Sequence, residues 1–207
     1  MVTIIDYNAG NLTSVRRALD FLDIKCKITS DPDSIAKAER IIFPGVGNAK
    51  SAMQNLKGGV ADALYEAVKR GTPFFGICLG MQIMMTHSDE GDTECLSLFD
   101  GGVRLMTPED KKLKIPHMGW DSLTYQKKHK LFLGVDPRSE FYFVHSYYVD
   151  PKNPDDSVAL SEHGIVFTAV IGKENMFATQ FHPEKSGEAG LTLLKNFAKW
   201  EGEAHAE

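Results

Sequence analysis

Residues 76–80 read Gly76-Ile77-Cys78-Leu79-Gly80, a cysteine with glycine two positions away on each side. The strand-forming run Pro73-Phe74-Phe75 precedes it, and an apolar segment of helical character follows. That is the form of a nucleophile elbow, in which a sharp strand-to-helix turn presents a reactive side chain. Such a turn is crowded, and glycines on its flanks remove side chains that would strike neighbouring backbone. A cysteine there faces the crevice where open α/β sheets bind ligands. A helix starting after it would aim its positive end at the sulfur and favour thiolate. The plain alternative is a buried thiol with no chemistry.

A free thiol has a pKa of about 8.5, so a nucleophile needs a base partner. The chain has seven histidines. His87, His129, His163 and His205 sit among polar residues that predict exposure, and His117 and His145 read as structural. His182 differs, because it ends a strand in the run Phe181-His182-Pro183-Glu184. Proline biases the residue before it toward extended backbone. Glu184 can then lie on the same side and hold the imidazole in one tautomer, which is the base-and-orienter logic of a triad. A third element is the loop Pro44-Gly45-Val46-Gly47 after a fully apolar strand. Pro44 and Ala49 stand where a phosphate loop needs glycine, which disfavours nucleotide binding. The free N–H groups of this loop, with that of Leu79, suit an oxyanion hole instead.

The elements that must position these groups alternate along the first half of the chain. Val2 to Asp6, Ile24 to Ile28, Arg40 to Phe43 and Pro73 to Ile77 read as strands. Between them, Asn11 to Leu22, Asp31 to Ala38 and Val60 to Gly71 read as helices, the second with an Asp31 cap and Pro32 in its first turn. Continuously apolar strands separated by helices imply a parallel sheet covered on both faces. After about Ser97 the texture turns β-rich, with runs at 140–149, 165–172 and 175–181, the last two joined by a turn at 172–175. A final helix begins near Ser186. Met81, Met84 and Met85 read as helix packing residues. No linker marks a boundary, so the expectation is one α/β domain over residues 1–207, with its core at about 3–200 and a frayed tail after Trp200.

Composition narrows the function classes. The formal net charge is −5, whereas polyanion binding needs an excess of Lys and Arg, so nucleic acid is not expected as a partner. The basic runs at 111–114 and 127–130 read as solvated loops. No apolar run approaches the ~18 residues of a membrane span, and Asp6 interrupts what would be a signal core. Cys26, Cys78 and Cys95 are too few and too scattered for a disulfide framework or a zinc site. A cytoplasmic protein with reduced thiols and no metal or cofactor is expected.

Taken together, "GICLGMQ", "FHPEKSG" and "PGVG" resemble the class I, triad-type glutamine amidotransferases. "DYNAGNLTSV", "PHMGW" and "FYFVHSYY" narrow the resemblance to the family of glutaminase subunits of imidazole glycerol phosphate synthases, and it runs from about Thr3 to Trp200. The resemblance implies a flavodoxin-like, open, mostly parallel central sheet with helices on both faces and extra short antiparallel strands. It implies hydrolysis of L-glutamine through Cys78, His182 and Glu184 and a γ-glutamyl thioester. Gly45, Val46, Gly47 and Leu79 fall at the oxyanion hole, where a peptide must turn to complete it. Gln82, Glu90, Tyr142, Ser146 and Tyr147 fall in the glutamine pocket. Gly10, Asn11 and Trp120 fall near the face of a (β/α)₈-barrel cyclase subunit, the expected partner in a heterodimer that receives the ammonia and forms imidazole glycerol phosphate and AICAR. Two positions depart from many relatives: Asn8 stands in place of glycine, and Asp121 in place of asparagine.

Other readings stay open on the residues alone. The glutaminase could serve another synthase, such as one aminating surface sugars. A thiol hydrolase or peptidase could use the same elbow, although Gln82 and the Pro44–Gly47 loop favour glutamine chemistry. An inactive scaffold would need none of Cys78, His182 and Glu184.

Overall fold

The structure, a computed structural model, describes residues 1–8 and 10–202. Five strands lie side by side and parallel, in the order Cys26–Thr29, Val2–Ile5, Ile41–Phe43, Phe74–Ile77 and Met176–Thr179. The inner four are buried along their whole length. Successive side chains enter opposite cores: Ile4, Ile42 and Phe75 on one face, Ile5, Phe43 and Phe74 on the other. This is why these strands read as unbroken apolar runs. Helices Leu12–Phe21 and Gly187–Phe197 cover the first face through Val15, Leu19, Leu194 and Phe197. Helices Ala49–Asn55 and Val60–Lys69 cover the second through Ala52, Ala63, Leu64 and Ala67.

Local signals hold where the chemistry is strong. Asp31 caps helix Pro32–Ala36 by accepting from the Ser34 N–H at 2.9 Å. The helix Ala49–Asn55 is an addition to the sequence reading, and its cap is Asn48, which accepts from Ser51 N–H at 2.8 Å. Asn8 has φ 59°, a left-handed conformation that asparagine tolerates, so its place in a glycine position needs no rearrangement.

The second half departs further. Met176–Thr179 is the switch strand, antiparallel to Val166–Lys173 in its hairpin and parallel to Phe74–Ile77. Beyond it the sheet continues mainly antiparallel, as the extra strands expected from the resemblance. The run at 140–149 is two strands, broken at Ser146. Glu140–His145 pairs with His117–Ser122 in a separate two-stranded sheet, whereas Tyr147–Pro151 joins the main sheet.

Three expectations are corrected. The helix after Cys78 is one turn, Leu79–Gln82, so it brings little macrodipole to the sulfur; Met84 and Met85 lie beyond it, fully buried in the core. His129 is buried rather than exposed, its ring 4.5 Å from that of Phe177 and 5.4 Å from that of Trp200. Glu201, after Trp200, is held by Arg40 at 3.3 Å. His205 and the end of the tail lie outside the described residues.

Candidate active site

Cys78 and His182 are far apart in sequence and meet because their strands are neighbours. Phe74–Ile77 and Met176–Thr179 run parallel with Ile77 opposite Thr179, and the Cys78 N–H continues the ladder to the Thr179 carbonyl at 2.7 Å. Both chains therefore leave the sheet at the same edge, one into the elbow and the other into Gln180-Phe181-His182. Cys78 has φ 54° and ψ −111°, a strained conformation for a residue with a side chain. Gly80 is obligatory, and a side chain at Gly76 would crowd its neighbours. A Cβ on Gly80 would lie 1.9 Å from the Phe43 carbonyl oxygen, and one on Gly76 would lie 2.7 Å from the Met84 sulfur.

His182 is fully buried, and its Nδ1–H donates to Glu184 Oε1 at 2.8 Å. That bond leaves Nε2 as the atom available to exchange a proton. The Glu184 carboxylate is also fully buried, and its Oε1 accepts a second hydrogen bond from the side-chain amide of Asn11. Helix Gly187–Phe197 fixes the His182-Pro183-Glu184 turn from behind, so closely that a Cβ on Gly190 would sit 2.0 Å from the Pro183 carbonyl oxygen. Burial opposes charge on His182. The nearby Cys78 sulfur, the hydrogen bond to Glu184 and the charge of Glu184 outweigh it and push the imidazole up to about 10. Cys78, His182 and Glu184 thus follow the order of nucleophile, base and orienting carboxylate that acyl transfer needs.

On the other side of the elbow lies Pro44–Gly47, after the strand Ile41–Phe43. The Leu79 N–H does not point into open space. It donates to the Gly45 carbonyl at 3.3 Å. One expected oxyanion donor is thus satisfied by the loop expected to supply the others. Tyr7 anchors the loop by donating to the Pro44 carbonyl at 2.6 Å, and burial followed by the charge of Cys78 pushes its phenol up.

A cavity of about 280 Å³ opens at the sulfur and includes Cys78, Gln82, Glu90, His145, Ser146 and Tyr147 in its lining. It is of a size for one amino acid. A larger cleft of about 510 Å³ beside Tyr125 and Phe132 holds none of these groups. Glu90 reaches the cavity from its own turn and accepts from the Ala49 N–H at 2.7 Å, at the start of helix Ala49–Asn55. Gln82 donates from Nε2 to the Tyr147 carbonyl at 2.9 Å and to Gln180 Oε1 at 3.1 Å. Tyr142 is not in the cavity lining; its ring meets Trp120 edge-on at 5.9 Å and lies under the Lys185 ammonium. Trp120 is half exposed, and Gly10 is exposed. Sequence reasoning missed Gln180, which is fully buried and donates from Nε2 to the Cys78 sulfur at 3.7 Å. Its signal was its place two residues before His182. It also missed a hydrogen-bonded run from His145 to His117 and Asp121. Ligand-type atoms of His117, Asp121 and His163 lie within 4.8 Å of one another. The His117 and His163 rings are stacked at 17°, so their lone pairs do not converge on one ion.

Residues 3–200 match the family model "Glutamine amidotransferase class-I". The chain belongs to the class I glutamine amidotransferase family. More particularly, it is 48% identical over 204 residues to "Imidazole glycerol phosphate synthase subunit HisH" of Nitratidesulfovibrio vulgaris (strain DSM 19637 / Miyazaki F), covering 95% of each chain. It is 44% identical over 209 residues to the subunit of the same name from Neisseria gonorrhoeae, covering 95% of this chain and 98% of that one. Among solved structures, "Structure of PurLQS from Thermotoga maritima" matches with a TM-score of 0.74 at 18% identity, covering 96% of this chain and 97% of that one. At that identity the likeness concerns the fold, which is that of the class I glutamine amidotransferases.

Proposed function

We propose that this chain is the glutaminase subunit of an imidazole glycerol phosphate synthase, a single catalytic domain working in the cytoplasm without a cofactor. The observation that supports it most is Cys78 in the lining of an amino-acid-sized cavity and within electrostatic reach of the buried His182–Glu184 pair. L-Glutamine enters with its side-chain amide toward Cys78, and Glu90 offers a carboxylate for its α-amino group. The thiolate attacks the amide carbon. The His182 imidazolium protonates the departing nitrogen, ammonia leaves, and a γ-glutamyl thioester remains. Neutral His182 then removes a proton from water as it attacks the thioester, and glutamate departs. Glu184 keeps Nε2 facing the reaction throughout.

The oxyanion of each tetrahedral intermediate needs donors, and Leu79 becomes one once the Gly45 carbonyl turns away. Val46 or Gly47 then contributes a second N–H. The ammonia passes to a (β/α)₈-barrel cyclase subunit, which we place against the face carrying Gly10, Met118 and Trp120. Met118 is 64% exposed and Trp120 50%, an apolar pair that a partner would cover.

The test is Cys78→Ala in the assembled enzyme. Glutamine-dependent synthesis is expected to fall by more than ~10³, while synthesis from added ammonia continues at the parental rate. Glutamine turnover persisting in Cys78→Ala would overturn the reading.

A further inference from the structure

His145 lines the cavity, yet the glutaminase steps above give it no part. Strand register sets it directly opposite His117 in the two-stranded sheet. His145 Nδ1 bonds the Tyr147 carbonyl at 2.8 Å, His145 Nε2 meets His117 Nδ1 at 3.1 Å, and His117 Nε2 meets Asp121 Oδ2 at 2.7 Å. Three hydrogen bonds thus run from a carboxylate that is 38% exposed to a backbone carbonyl at the cavity. The same carbonyl accepts from Gln82, which bonds Gln180, which touches the Cys78 sulfur.

Counting protons gives this chain of contacts its meaning. A backbone carbonyl and an ionised carboxylate only accept hydrogen bonds. Three bonds between two such ends, passing through two imidazoles, require three protons. Two neutral imidazoles carry two. We propose that Asp121, through His117 and His145, is a positioning residue for the Tyr147 side of the glutamine pocket, and that the relay is complete only while it holds one shared proton. The inference rests on the glutaminase reading of the pocket.

The surroundings place that proton at the His117–Asp121 end. Burial pushes His145 down to about 3; its bond to the Tyr147 carbonyl opposes this, and His117, His163 and His182 add to the depression. His117 is also lowered, first by burial and then by His163, whose ring stacks on it at 4.2 Å, while Asp121 pulls the other way. His163 is itself tied to the Lys114 carbonyl at 3.1 Å. Cys78, Glu90 and Tyr147 are the other ionisable side chains in the lining of the same cavity. When the proton leaves, a lone pair must face an acceptor. The longest link, between His117 and His145, opens and frees the His145 ring against Tyr147.

Asparagine at position 121 supplies an N–H to a neutral His117, so Asp121→Asn completes the same three bonds with no extra proton. In the assembled enzyme, the KM for glutamine of the parent is expected to rise roughly fivefold as pH rises from the acid side of about 6.5, where His117 keeps its second proton, to neutrality, the worth of one hydrogen bond. The Asp121→Asn enzyme should lack that rise, and so should Asp121→Ala, in which the two protons of two neutral imidazoles satisfy the two bonds that remain. A second readout is independent of turnover: ¹⁵N NMR of the chain should find His117 protonated on both nitrogens at acidic pH in the parent and on Nδ1 alone in Asp121→Asn. Superimposable KM profiles, or a His117 with one proton across the range in the parent, would overturn the relay. A doubly protonated His117 in a chain that turns over no glutamine would support the relay and overturn the glutaminase reading.

Discussion

The backbone N–H of Leu79 donates to the carbonyl of Gly45 at 3.3 Å, so the residue after the nucleophile is bonded to the loop that should join it in holding an oxyanion. A carbonyl at that spot repels the charge that develops during attack. A loop fastened at Pro44 by Tyr7 and freed by Gly47 at φ 117° can exchange that carbonyl for an N–H by turning one peptide. Each oxyanion donor is worth about 10²–10³ in rate. The purified chain should therefore hydrolyse glutamine at least ~10²-fold more slowly than the complex with its partner and the partner's ligand. Steady-state glutaminase assays of the chain alone and of the complex check this, and equal rates would count against a gated loop.

The His182 imidazole, pushed up to about 10 from an ordinary 6.5, ties stability to pH. A group raised on folding contributes its stability in full below about 6.5, and that contribution is lost as pH rises through about 10. Cys78→Ala removes the sulfur that raises His182 while leaving the burial that opposes charge. His182 in that variant should titrate at lower pH than in the parent, and the alkaline loss of stability should be smaller and end at lower pH. NMR titration of the His182 ring and urea denaturation across the alkaline range measure both.

Asn11 donates to the Glu184 carboxylate and lies 3.5 Å from His182 Nδ1, so its side chain serves the triad even though family likeness puts it near a partner face. Asn11→Ala strips a donor from a buried carboxylate whose other oxygen has no partner. Loss of a hydrogen bond to a charged group predicts a fall in kcat of roughly tenfold or more with little change in KM for glutamine. Weakened partner affinity with kcat intact, measured by titration calorimetry, would assign Asn11 to the interface alone.

Gly80→Ala tests the elbow as geometry rather than chemistry. Its Cβ would meet the Phe43 carbonyl at 1.9 Å, and backbone on both sides is buried. A loss of about 3 kcal/mol or more is expected from overpacking. Gly47→Ala meets nothing within 4 Å and should cost only the strain of its φ, about 1–2 kcal/mol. Denaturant midpoints of the two variants give the comparison.

Much of this was legible in local pattern. The parallel strands are short apolar runs that can only be buried on both faces, and Asp31, Pro32 and Gly71 punctuate helices by their own backbone chemistry. Gly76, Cys78 and Gly80 announce an elbow, and Pro183 announces the turn that presents His182 with Glu184. These features depend on neighbours within a few residues, which a sequence displays directly.

What only the tertiary structure decided comes from strand order and register. Pairing of Met176–Thr179 with Phe74–Ile77 brings Gln180 to the Cys78 sulfur. The switch of sheets at Ser146 turns His145 toward His117 and Tyr147 toward Gln82. The burial of His129, the outward place of Tyr142 and the bond from Leu79 to Gly45 belong to the same class. Each is set by which distant segment lies alongside, and loop closure over a hundred residues leaves no local trace of that choice.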